Sequence, residues 1–257
     1  MDRNAQPVTA LDGVALVTGG GRGIGAAIAR GLAAAGMRVV VTGRTAGPLE
    51  ALASEVDGEA LVGDVSSADD VRRWFDAVGG VDLLVNNAGL LGPQEVEWEA
   101  NPQAWWRTFE VNVRGPFLCC REAVPRMAAA GGGRIINVTS GAAYMSGGPS
   151  DGAYGPSKAA LHRYSEILAT QAQPLGVHVF SISPGLIRTG MNSGFFGDDA
   201  PWASPEVPAA LVRLLASGRA DALAGRFLHA TLDDVEDLIR RADQVEAEDL
   251  NAIRLRR

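Results

Sequence analysis

The sequence is short of the residues that mark several classes of protein. Only two of its 257 residues are cysteine, and these two, Cys119 and Cys120, are neighbours in an apolar stretch. A disulfide between adjacent residues is strained, so we expect two buried thiols in a reducing compartment. The three histidines, His162, His178 and His229, have no partner at metal-ligand spacing. We therefore expect core or surface roles for them, and no metal site.

Long hydrophobic runs and an excess of positive charge are also missing. No stretch approaches the roughly 18 apolar residues that a membrane span requires, and residues 1–13 lack the apolar core of a signal peptide. With 23 basic and 30 acidic residues the net charge is −7, which disfavours nucleic acid or an anionic membrane as the main partner. These features predict a cytoplasmic protein that binds neither, and they leave room for one small phosphate-bearing ligand.

Short apolar runs rich in Val, Ile and Leu alternate with helical patterns along most of the chain. This repetition predicts an α/β fold, a Rossmann-like, doubly wound parallel sheet with helices on both faces. No linker divides the chain, so residues 1–257 are expected to form a single domain. The predicted strands are 14–18, 38–42, 59–63, 81–85, 134–139, 177–183 and 222–230, with helices that include 24–35, 71–78 and 203–217.

Residues 231–257 are predicted to form a C-terminal helical extension. Thr231 is the expected N-cap, with acidic residues in the first turn where the helix dipole favours them. We expect the helix to pack on its own domain or on a neighbouring subunit rather than to take part in catalysis. Its apolar face consists of Leu232, Val235, Leu238, Ala242 and Val245.

A glycine-rich turn, TGGGRGIG at 18–25, directly follows the first predicted strand and opens a helix. Glycines there permit a tight turn, let the backbone approach a pyrophosphate, and leave the helix N-terminus facing the anion. Glycine also simply makes turns, but its position between strand one and helix one predicts a dinucleotide site. The candidate cofactor residues of this turn are Gly19, Gly21, Arg22, Gly23, Ile24 and Gly25.

The end of the second predicted strand indicates which dinucleotide binds. A site for NAD usually places a carboxylate there, about 20 residues after the glycines, on the ribose 2′-hydroxyl. Here the strand ends in Thr42-Gly43-Arg44 without an acid, and a guanidinium binds a 2′-phosphate well. Arg22 can reach the same phosphate. Either arginine alone could be an ordinary surface charge, but together they predict NADP(H).

Two further segments fit an adenine and ribose site. Asp64 and Val65 end the third predicted strand, where the Asp side chain could accept the adenine amino group. Asn87, Ala88 and Gly89 follow the fourth strand, and their small size leaves room for the cofactor. As turn chemistry alone this second segment would mean little.

Tyr154 and Lys158 are four residues apart in a predicted helix, so their side chains share one face. Tyrosine, with an ordinary pKa near 10, is a poor acid or base at neutral pH. A lysine ammonium beside it, together with an oxidised nicotinamide, favours the phenolate and lowers that pKa. Ser140, at the end of the fifth strand, could donate a hydrogen bond to a substrate oxygen. The Tyr–Lys spacing alone is common on helix surfaces.

Taken together, the motifs resemble the short-chain dehydrogenase/reductase family over about residues 10 to 220. The matching pieces occur in the family's order: TGGGRGIG, NNAG, VNV, NVTS, YGPSK and PGLIRT. The resemblance implies an NADP(H)-dependent oxidoreductase, whose whole chain is a dinucleotide-binding catalytic domain acting on a carbonyl or alcohol. The implied catalytic tetrad is Asn112, Ser140, Tyr154 and Lys158, and the residues expected to flank the nicotinamide are Pro184, Gly185, Ile187 and Thr189.

The family's mechanism implies a role for each tetrad member. Tyr154 protonates the carbonyl oxygen while NADPH delivers hydride to the carbon, and Ser140 orients that oxygen. Lys158 holds the nicotinamide ribose and depresses the tyrosine pKa, so both of these residues also contact the cofactor. Asn112 positions a water in a proton relay. Pro116 has no N–H to bond the Asn112 carbonyl, so a kink there would leave that carbonyl free for water.

The chain departs from the family pattern in two places. Ser140 and Tyr154 are 14 residues apart, so the loop 141–152, which borders the substrate, carries one residue more than expected. The last strand ends in GRFLHA where many relatives have Val-Asp-Gly-Gly, and an acidic helix follows. Family members often form tetramers partly through this region, so the sequence leaves a homodimer and a homotetramer open.

The substrate is the least determined part of the interpretation. Aromatic and Met side chains could form an apolar lid over a neutral, fairly bulky ketone or alcohol, or they could simply pack their loop down. The leading interpretation is a carbonyl reductase or ketoreductase. An NADP⁺-dependent alcohol dehydrogenase and a non-catalytic NADP-binding regulator remain alternatives, because a fold does not fix a substrate. The candidate substrate residues are Ser140, Tyr144, Met191, Phe195, Phe196 and Trp202.

Overall fold

Seven parallel strands form one sheet in the order β3-β2-β1-β4-β5-β6-β7. The computed structural model describes residues 10–145, 152–192, 194 and 196–254. The strands are β1 (Val14–Thr18), β2 (Arg38–Gly43), β3 (Glu59–Val62), β4 (Leu83–Asn86), β5 (Gly133–Val138), β6 (Val177–Ser183) and β7 (Phe227–His229).

Helices cover both faces of the sheet, which confirms the predicted Rossmann-like, doubly wound parallel fold. No helix in the described part of the chain is both long and apolar enough to cross a membrane. The helices are α1 (Gly23–Ala34), α2 (Ala46–Glu55), α3 (Ala68–Val78), α4 (Pro102–Phe109), α5 (Gly115–Ala129), α6 (Tyr154–Ala172), α7 (Glu206–Ala216), α8 (Val235–Arg240) and α9 (Ala242–Ala247).

The central strands are mostly apolar because both of their faces are buried. In β1, Ala15 and Val17 belong to one core layer, whereas Leu16 between them belongs to the other. The second layer also contains Trp74 and Phe75 of α3, both fully buried. Burying a side chain of this size contributes roughly 1.5–3 kcal/mol. This two-sided burial explains why the strands appear in the sequence as continuous apolar runs.

The strand order reverses direction beside β1. The chain runs outward from β1 to β3 and then returns to β4, which pairs with β1 on its other side. The loops that follow the carboxyl ends of β1 and β4 therefore lead away in different directions, and a crevice lies between them. In open α/β sheets, ligands bind at such a point.

Several predicted element ends need correction. The strand predicted at 81–85 begins at Leu83 and runs on to Asn86, and the one predicted at 134–139 is shifted back by one residue. The last strand, predicted at 222–230, has only three residues. Asp221–Leu223 forms a 3₁₀ turn instead, and Gly225, with φ of 85°, breaks the extended backbone.

The single C-terminal helix predicted within 231–257 was wrong. The segment forms two short helices, α8 and α9, which meet at Arg241, whose φ and ψ of −113° and 31° are not helical. Thr231 is not the N-cap either. Asp234 takes that place, because its side chain accepts a hydrogen bond from the N–H of Asp237 at 3.0 Å, and acidic side chains compete for the same role in this segment.

Candidate active site

The glycine turn at the start of α1 has no room for a side chain at Gly19 or Gly25. Gly19 and Gly23 have φ values of 64° and 56°, which favour glycine. A Cβ on Gly25 would press on the carbonyl oxygen of Gly19 and lie 2.5 Å from Nδ2 of Asn87. Arg22 precedes α1 without capping it through its side chain, so this side chain leaves the first N–H groups of the helix uncapped. This arrangement is suited to a pyrophosphate.

The loop after β4 is fastened to this glycine turn. Thr18 Oγ1 accepts hydrogen bonds from the N–H groups of Asn87 and Ala88, both at 3.0 Å. Asn87 Nδ2 in turn donates to the carbonyl oxygens of Thr18 at 3.0 Å and Gly19 at 3.2 Å. Asn87, predicted as a cofactor residue, thus uses its side-chain amide to hold two cofactor loops together.

Arg22 and Arg44 lie at the two positions where the sequence predicts a 2′-phosphate. Both are exposed. Among the residues that the structure describes, neither has an ion-pair or hydrogen-bond partner. Arg30, by contrast, forms a two-bond pair with Glu55 at 2.7 and 2.8 Å. Two guanidinium groups without a protein carboxylate are available to an external anion.

Asp64, predicted to receive the adenine amino group, is held by neighbours that the sequence analysis missed. Its Oδ1 accepts hydrogen bonds from Ser66 N at 2.9 Å and Ser66 Oγ at 2.7 Å, and its Oδ2 pairs with Arg107. Burial alone would raise the pKa of Asp64, but these hydrogen bonds and the guanidinium charge outweigh it and lower the pKa. Val65, beside it, is buried against Gly115. Arg107 lies 43 residues away on α4, and no sequence spacing predicts that pairing.

Tyr154 and Lys158 lie one turn apart at the start of α6. The Lys158 Nζ is 5.6 Å from the centre of the Tyr154 ring and donates a hydrogen bond of 2.8 Å to the carbonyl oxygen of Val138, near the end of β5. Lys158 is only 3% exposed, and this burial lowers the pKa of its ammonium to about 8. The helix thus holds a desolvated cation beside the phenol.

Lys158 is also the only lysine in the chain, whose other basic residues are all arginine. The sequence analysis missed this signal, although it is visible in the composition. Lysine can release its proton when buried, whereas arginine stays charged. The only lysine therefore lies beside Tyr154, where a cation that can release its proton could take part in proton transfer.

Asn112 links the loop after β4 to the catalytic helix. Its Oδ1 accepts from Leu90 N at 2.8 Å, and its Nδ2 donates to Leu90 O and to Ser157 Oγ, both at 2.9 Å. The backbone irregularity expected before Pro116 is a π-helical turn at Glu110–Arg114. Such turns occur often at functional sites.

Gly89 is the point where the parts of the site converge. A Cβ on this residue would lie 3.6 Å from Asn112 Oδ1 and 3.7 Å from both Lys158 Nζ and Met191 Cε. Nearby, a Cβ on Gly23 would lie 3.3 Å from Thr189 Cγ2. Thr189, predicted beside the nicotinamide, therefore lies against the glycine turn, whereas Gly89 lies beside Lys158 of α6.

The rest of the predicted nicotinamide segment follows β6. Pro184 comes directly after the strand, and Gly185, with φ of 82°, lies against Thr231. Ile187 is buried and pairs with Ala203 through an isolated bridge. The segment after β6 thus packs against Thr231 at Gly185 and against Ala203 at Ile187.

Ser140 follows β5 and begins the substrate side of the site. Its Oγ accepts a hydrogen bond from Ala142 N at 3.2 Å, which leaves its hydroxyl hydrogen free to be donated to a substrate oxygen. Tyr144, one 3₁₀ turn later, is 46% exposed. Ser140 and Tyr144 therefore flank the same 3₁₀ turn after β5.

The predicted lid is partly described. Phe196 and Trp202 meet edge to face at 5.9 Å, and the Arg188 guanidinium lies 4.9 Å from the centre of the Trp202 ring. Met191 is partly exposed close to Gly89. Phe195 lies outside the described residues. The aromatic pair packs its own loop, which is one of the two readings that the sequence left open.

The three histidines lie in different environments. His162 is fully buried, His178 lies 3.6 Å from the carboxylate of Asp221, and Nδ1 of His229 lies 3.2 Å from Thr231 Oγ1. Within the described ranges, no three His, Cys, Asp or Glu side chains are grouped to hold a metal ion.

Comparisons with known proteins agree with this geometry. The family described as short chain dehydrogenase matches residues 13–199. The chain is 37% identical to a chloroplastic NADPH-dependent aldehyde reductase-like protein of Arabidopsis thaliana, over 219 residues that cover 77% of this chain and 80% of that one.

Two solved structures show the same fold with different cofactors. One, from Beutenbergia cavernae, carries bound NADP and is described as a candidate NAD(P)-dependent gluconate 5-dehydrogenase. It has a TM-score of 0.80 and 31% identity, covering 88% of this chain and 97% of that one. The other is a 7α-hydroxysteroid dehydrogenase complexed with NADH and 7-oxo-glycochenodeoxycholic acid. It has a TM-score of 0.80 and 28% identity, covering 86% and 94%.

Proposed function

Because the chain belongs to the short-chain dehydrogenase/reductase family of oxidoreductases, we propose that it is an NADPH-dependent carbonyl reductase or ketoreductase. It transfers hydride between the nicotinamide and a ketone or secondary alcohol. The observation that carries the proposal is the pair of Tyr154 and the chain's only lysine, Lys158, whose buried ammonium lies 5.6 Å from the phenol ring. The pair lies close to Gly89, where an added Cβ would lie 3.7 Å from Lys158 Nζ.

The preference for NADPH rests on Arg22 and Arg44. Relatives of the same fold carry NADH or NADP, so the family alone leaves the choice open. A 2′-phosphate needs cationic groups without a competing carboxylate, and both arginines meet that need among the described residues. The fit of the dinucleotide is further supported by Gly19, Gly25 and Gly89, where added Cβ atoms would fill the cradle.

The chain's residues prepare a carbonyl for reduction in three ways. NADPH, when bound, supplies the hydride that reaches the carbonyl carbon. The Tyr154 hydroxyl gives its proton to the carbonyl oxygen, and the Ser140 hydroxyl donates a hydrogen bond to the same oxygen. The Lys158 ammonium stabilises the phenolate that Tyr154 leaves behind, because opposite charges attract strongly where water is excluded.

Asn112 and Ser157 position this machinery. Their hydrogen bond at 2.9 Å joins the π-helical turn to α6, and the Asn112 amide also holds the Leu90 backbone. We expect proton return to Tyr154 to run through Lys158 and a water at the Asn112 carbonyl. The same residues serve the reverse oxidation, so the alternative of an NADP⁺-dependent alcohol dehydrogenase differs only in net direction.

A non-catalytic NADP-binding regulator is the less favoured alternative. Burying an ammonium is unfavourable because it loses its hydration, and burial lowers the pKa of Lys158 to about 8. A binding module needs the glycine turn, but it has no use for a desolvated lysine beside a tyrosine. Perturbed groups of this kind concentrate at catalytic sites.

The proposal extends to the organisation of the whole protein. Residues 1–257 act as one dinucleotide-binding catalytic domain that assembles as a homodimer or homotetramer. The proposed compartment is the cytoplasm, where the free, buried thiols of Cys119 and Cys120 stay reduced.

The proposal is tested by Tyr154→Phe. We expect NADPH affinity to stay nearly unchanged while turnover of a ketone, followed by NADPH absorbance, falls by about 10²–10⁴-fold. Tyr164→Phe is the matched control, because this tyrosine lies on the same helix but its hydroxyl bonds the Cys120 thiol. A Tyr154→Phe protein that keeps the wild-type turnover would remove the tyrosine from its role.

A further inference from the structure

The ring of Phe227, at the start of β7, lies between two other aromatic rings, those of Tyr144 and His162. Its centre lies 5.1 Å from the Tyr144 ring and 5.2 Å from the His162 ring, and both contacts are edge to face. Phe227 is only 6% exposed. Aromatic contacts of this kind have a preferred geometry, so a shift of one ring moves its neighbours.

Each of the two rings that contact Phe227 is close along the chain to a residue of the proposed catalytic tetrad. His162 lies on α6 one turn after Lys158 and two turns after Tyr154, so it shares their helical face. Neither ring nitrogen of His162 has a hydrogen-bond partner among the described residues, so this side chain serves as a packed ring. Tyr144 follows Ser140, and a Cβ on Gly141 would lie 3.9 Å from the Tyr144 hydroxyl. Phe227 therefore spaces the Ser140 loop from the catalytic helix.

The C-terminal segment holds the backbone of Phe227 from outside the sheet. β7 is an edge strand, and Asn251 occupies its free edge. The Phe227 N–H donates to the Asn251 carbonyl at 2.7 Å, and Asn251 Nδ2 donates back to the Phe227 carbonyl at 2.9 Å. Asn251 has φ of 53°, a left-handed conformation that asparagine tolerates better than most residues.

The same segment is also tied to the catalytic helix. Arg254 pairs with Glu166 of α6 at 2.6 Å and with Asp249 at 2.6 Å. Asp249 pairs in turn with Arg226, the neighbour of Phe227, at 2.7 Å. Glu166 is 9% exposed, so the pair at its carboxylate is better shielded from water than an ordinary surface pair.

We propose that the C-terminal segment 249–254 positions Tyr144 through Phe227, and that Asn251 and Phe227 are positioning residues for the carbonyl substrate. This proposal rests on the proposed function, because Tyr144 is taken to be the surface against which a substituent of the ketone packs beside Ser140. It assigns to the C-terminal segment a role in substrate affinity, separate from hydride transfer.

The first test is Asn251→Gly, which removes the side-chain amide and keeps a residue that accepts positive φ. We expect the KM for a ketone substrate to rise about 5- to 20-fold, as for the loss of one or two hydrogen bonds, with the KM for NADPH unchanged. Asn251→Asp keeps the size but loses the donor and places a second carboxylate against Asp233, so the ketone KM should rise at least as much. Arg240→Ala is the control, because this 66% exposed side chain lies on α8, outside 249–254, and pairs with Asp237 and no other described residue.

A second readout needs no substrate. The N–H groups of Tyr144 and Met145 donate to the Gly141 carbonyl at 3.1 and 3.0 Å, so their hydrogen exchange reports how well this turn is held. We expect faster exchange there in Asn251→Gly and in Phe227→Leu, but not in Arg240→Ala.

The double variant Asn251→Gly with Tyr144→Ala completes the test. If Asn251 acts through Tyr144, the double variant has the ketone KM of Tyr144→Ala alone. Additive effects, or a fall in kcat with an unchanged ketone KM, would overturn the proposal. Should the wild-type protein reduce no ketone, the proposed function fails, and exchange at Tyr144 still decides whether Asn251 positions this turn.

Discussion

The burial of Lys158 predicts a protein that is less stable with its lysine than without it. The ammonium is 3% exposed and has one hydrogen bond, to the Val138 carbonyl. The interval between the ordinary pKa of 10.5 and the folded value of about 8 corresponds to about 3 kcal/mol against the charged form. Functional sites often retain such unfavourable groups.

Lys158→Met is the perturbation that exposes this effect. Methionine keeps most of the length of the aliphatic chain and removes the charge. The Val138 carbonyl loses its hydrogen bond, which offsets about 1–2 kcal/mol of the gain. We therefore expect the free energy of unfolding at pH 7 to rise by about 1–2 kcal/mol, while turnover falls by orders of magnitude.

The pH dependence has a definite sign. Below pH 8 the lysine is protonated in the folded and the unfolded chain, so the penalty is complete. Between pH 8 and 10.5 the folded chain releases the proton and the unfolded chain keeps it, so wild-type stability rises with pH relative to Lys158→Met. The penalty on the buried ammonium should fall from about 3 kcal/mol at pH 7 to about 1 kcal/mol at pH 10. Because the lost Val138 hydrogen bond offsets what remains, Lys158→Met should be no more stable than wild type at pH 10.

The assay is urea unfolding of both proteins without cofactor at pH 7 and pH 10. Because Lys158 is the only lysine, selective isotope labelling of lysine also gives one NMR signal from which its pKa can be read directly. A Lys158→Met protein that is less stable than wild type at pH 7, or a titration at the ordinary value, would refute the reasoning.

Three further predictions concern the cofactor and the C-terminal segment. Arg44→Ala should weaken the binding of NADPH by about 1–3 kcal/mol and leave the binding of NADH almost unchanged. Arg121→Ala is the control. Equal losses for the two cofactors would show that Arg44 does not contact the 2′-phosphate. Gly89→Ala should leave thermal unfolding within about 0.5 kcal/mol of wild type, since its Cβ meets atoms no nearer than 3.6 Å, and should weaken cofactor binding; unchanged binding would place the nicotinamide elsewhere. Deleting residues 232–257 should alter stability or assembly, seen by thermal unfolding and light scattering, before it alters single-turnover hydride transfer; selective loss of that transfer would place the segment at the chemistry.

The parts of the site that follow a strand could be predicted from the sequence. A strand's end is visible as the end of an apolar run, and a parallel sheet brings such ends to one edge. Gly19, Asp64, Gly89 and Ser140 were predicted in this way. Tyr154 and Lys158 were found because helical spacing fixes which side chains share a face.

The contacts between distant segments could not be predicted. The pair of Arg107 and Asp64 joins two exposed-looking charges from different elements, and sequence spacing carries no information about it. Asn251 bonds Phe227 only because its backbone is left-handed, a choice that depends on the finished edge of the sheet. The C-terminal helix was predicted in one piece because its apolar spacing is regular, whereas capping by Asp234 and the turn at Arg241 divide it.

The most direct test of the central claim is a fluorescence titration of the purified protein with NADPH and NADH side by side. We expect tight binding of NADPH and weak binding of NADH, because the guanidinium groups of Arg22 and Arg44 would bind the 2′-phosphate. A clear preference for NADH would contradict the cofactor argument and leave the family intact. Binding of neither would contradict the proposed function itself.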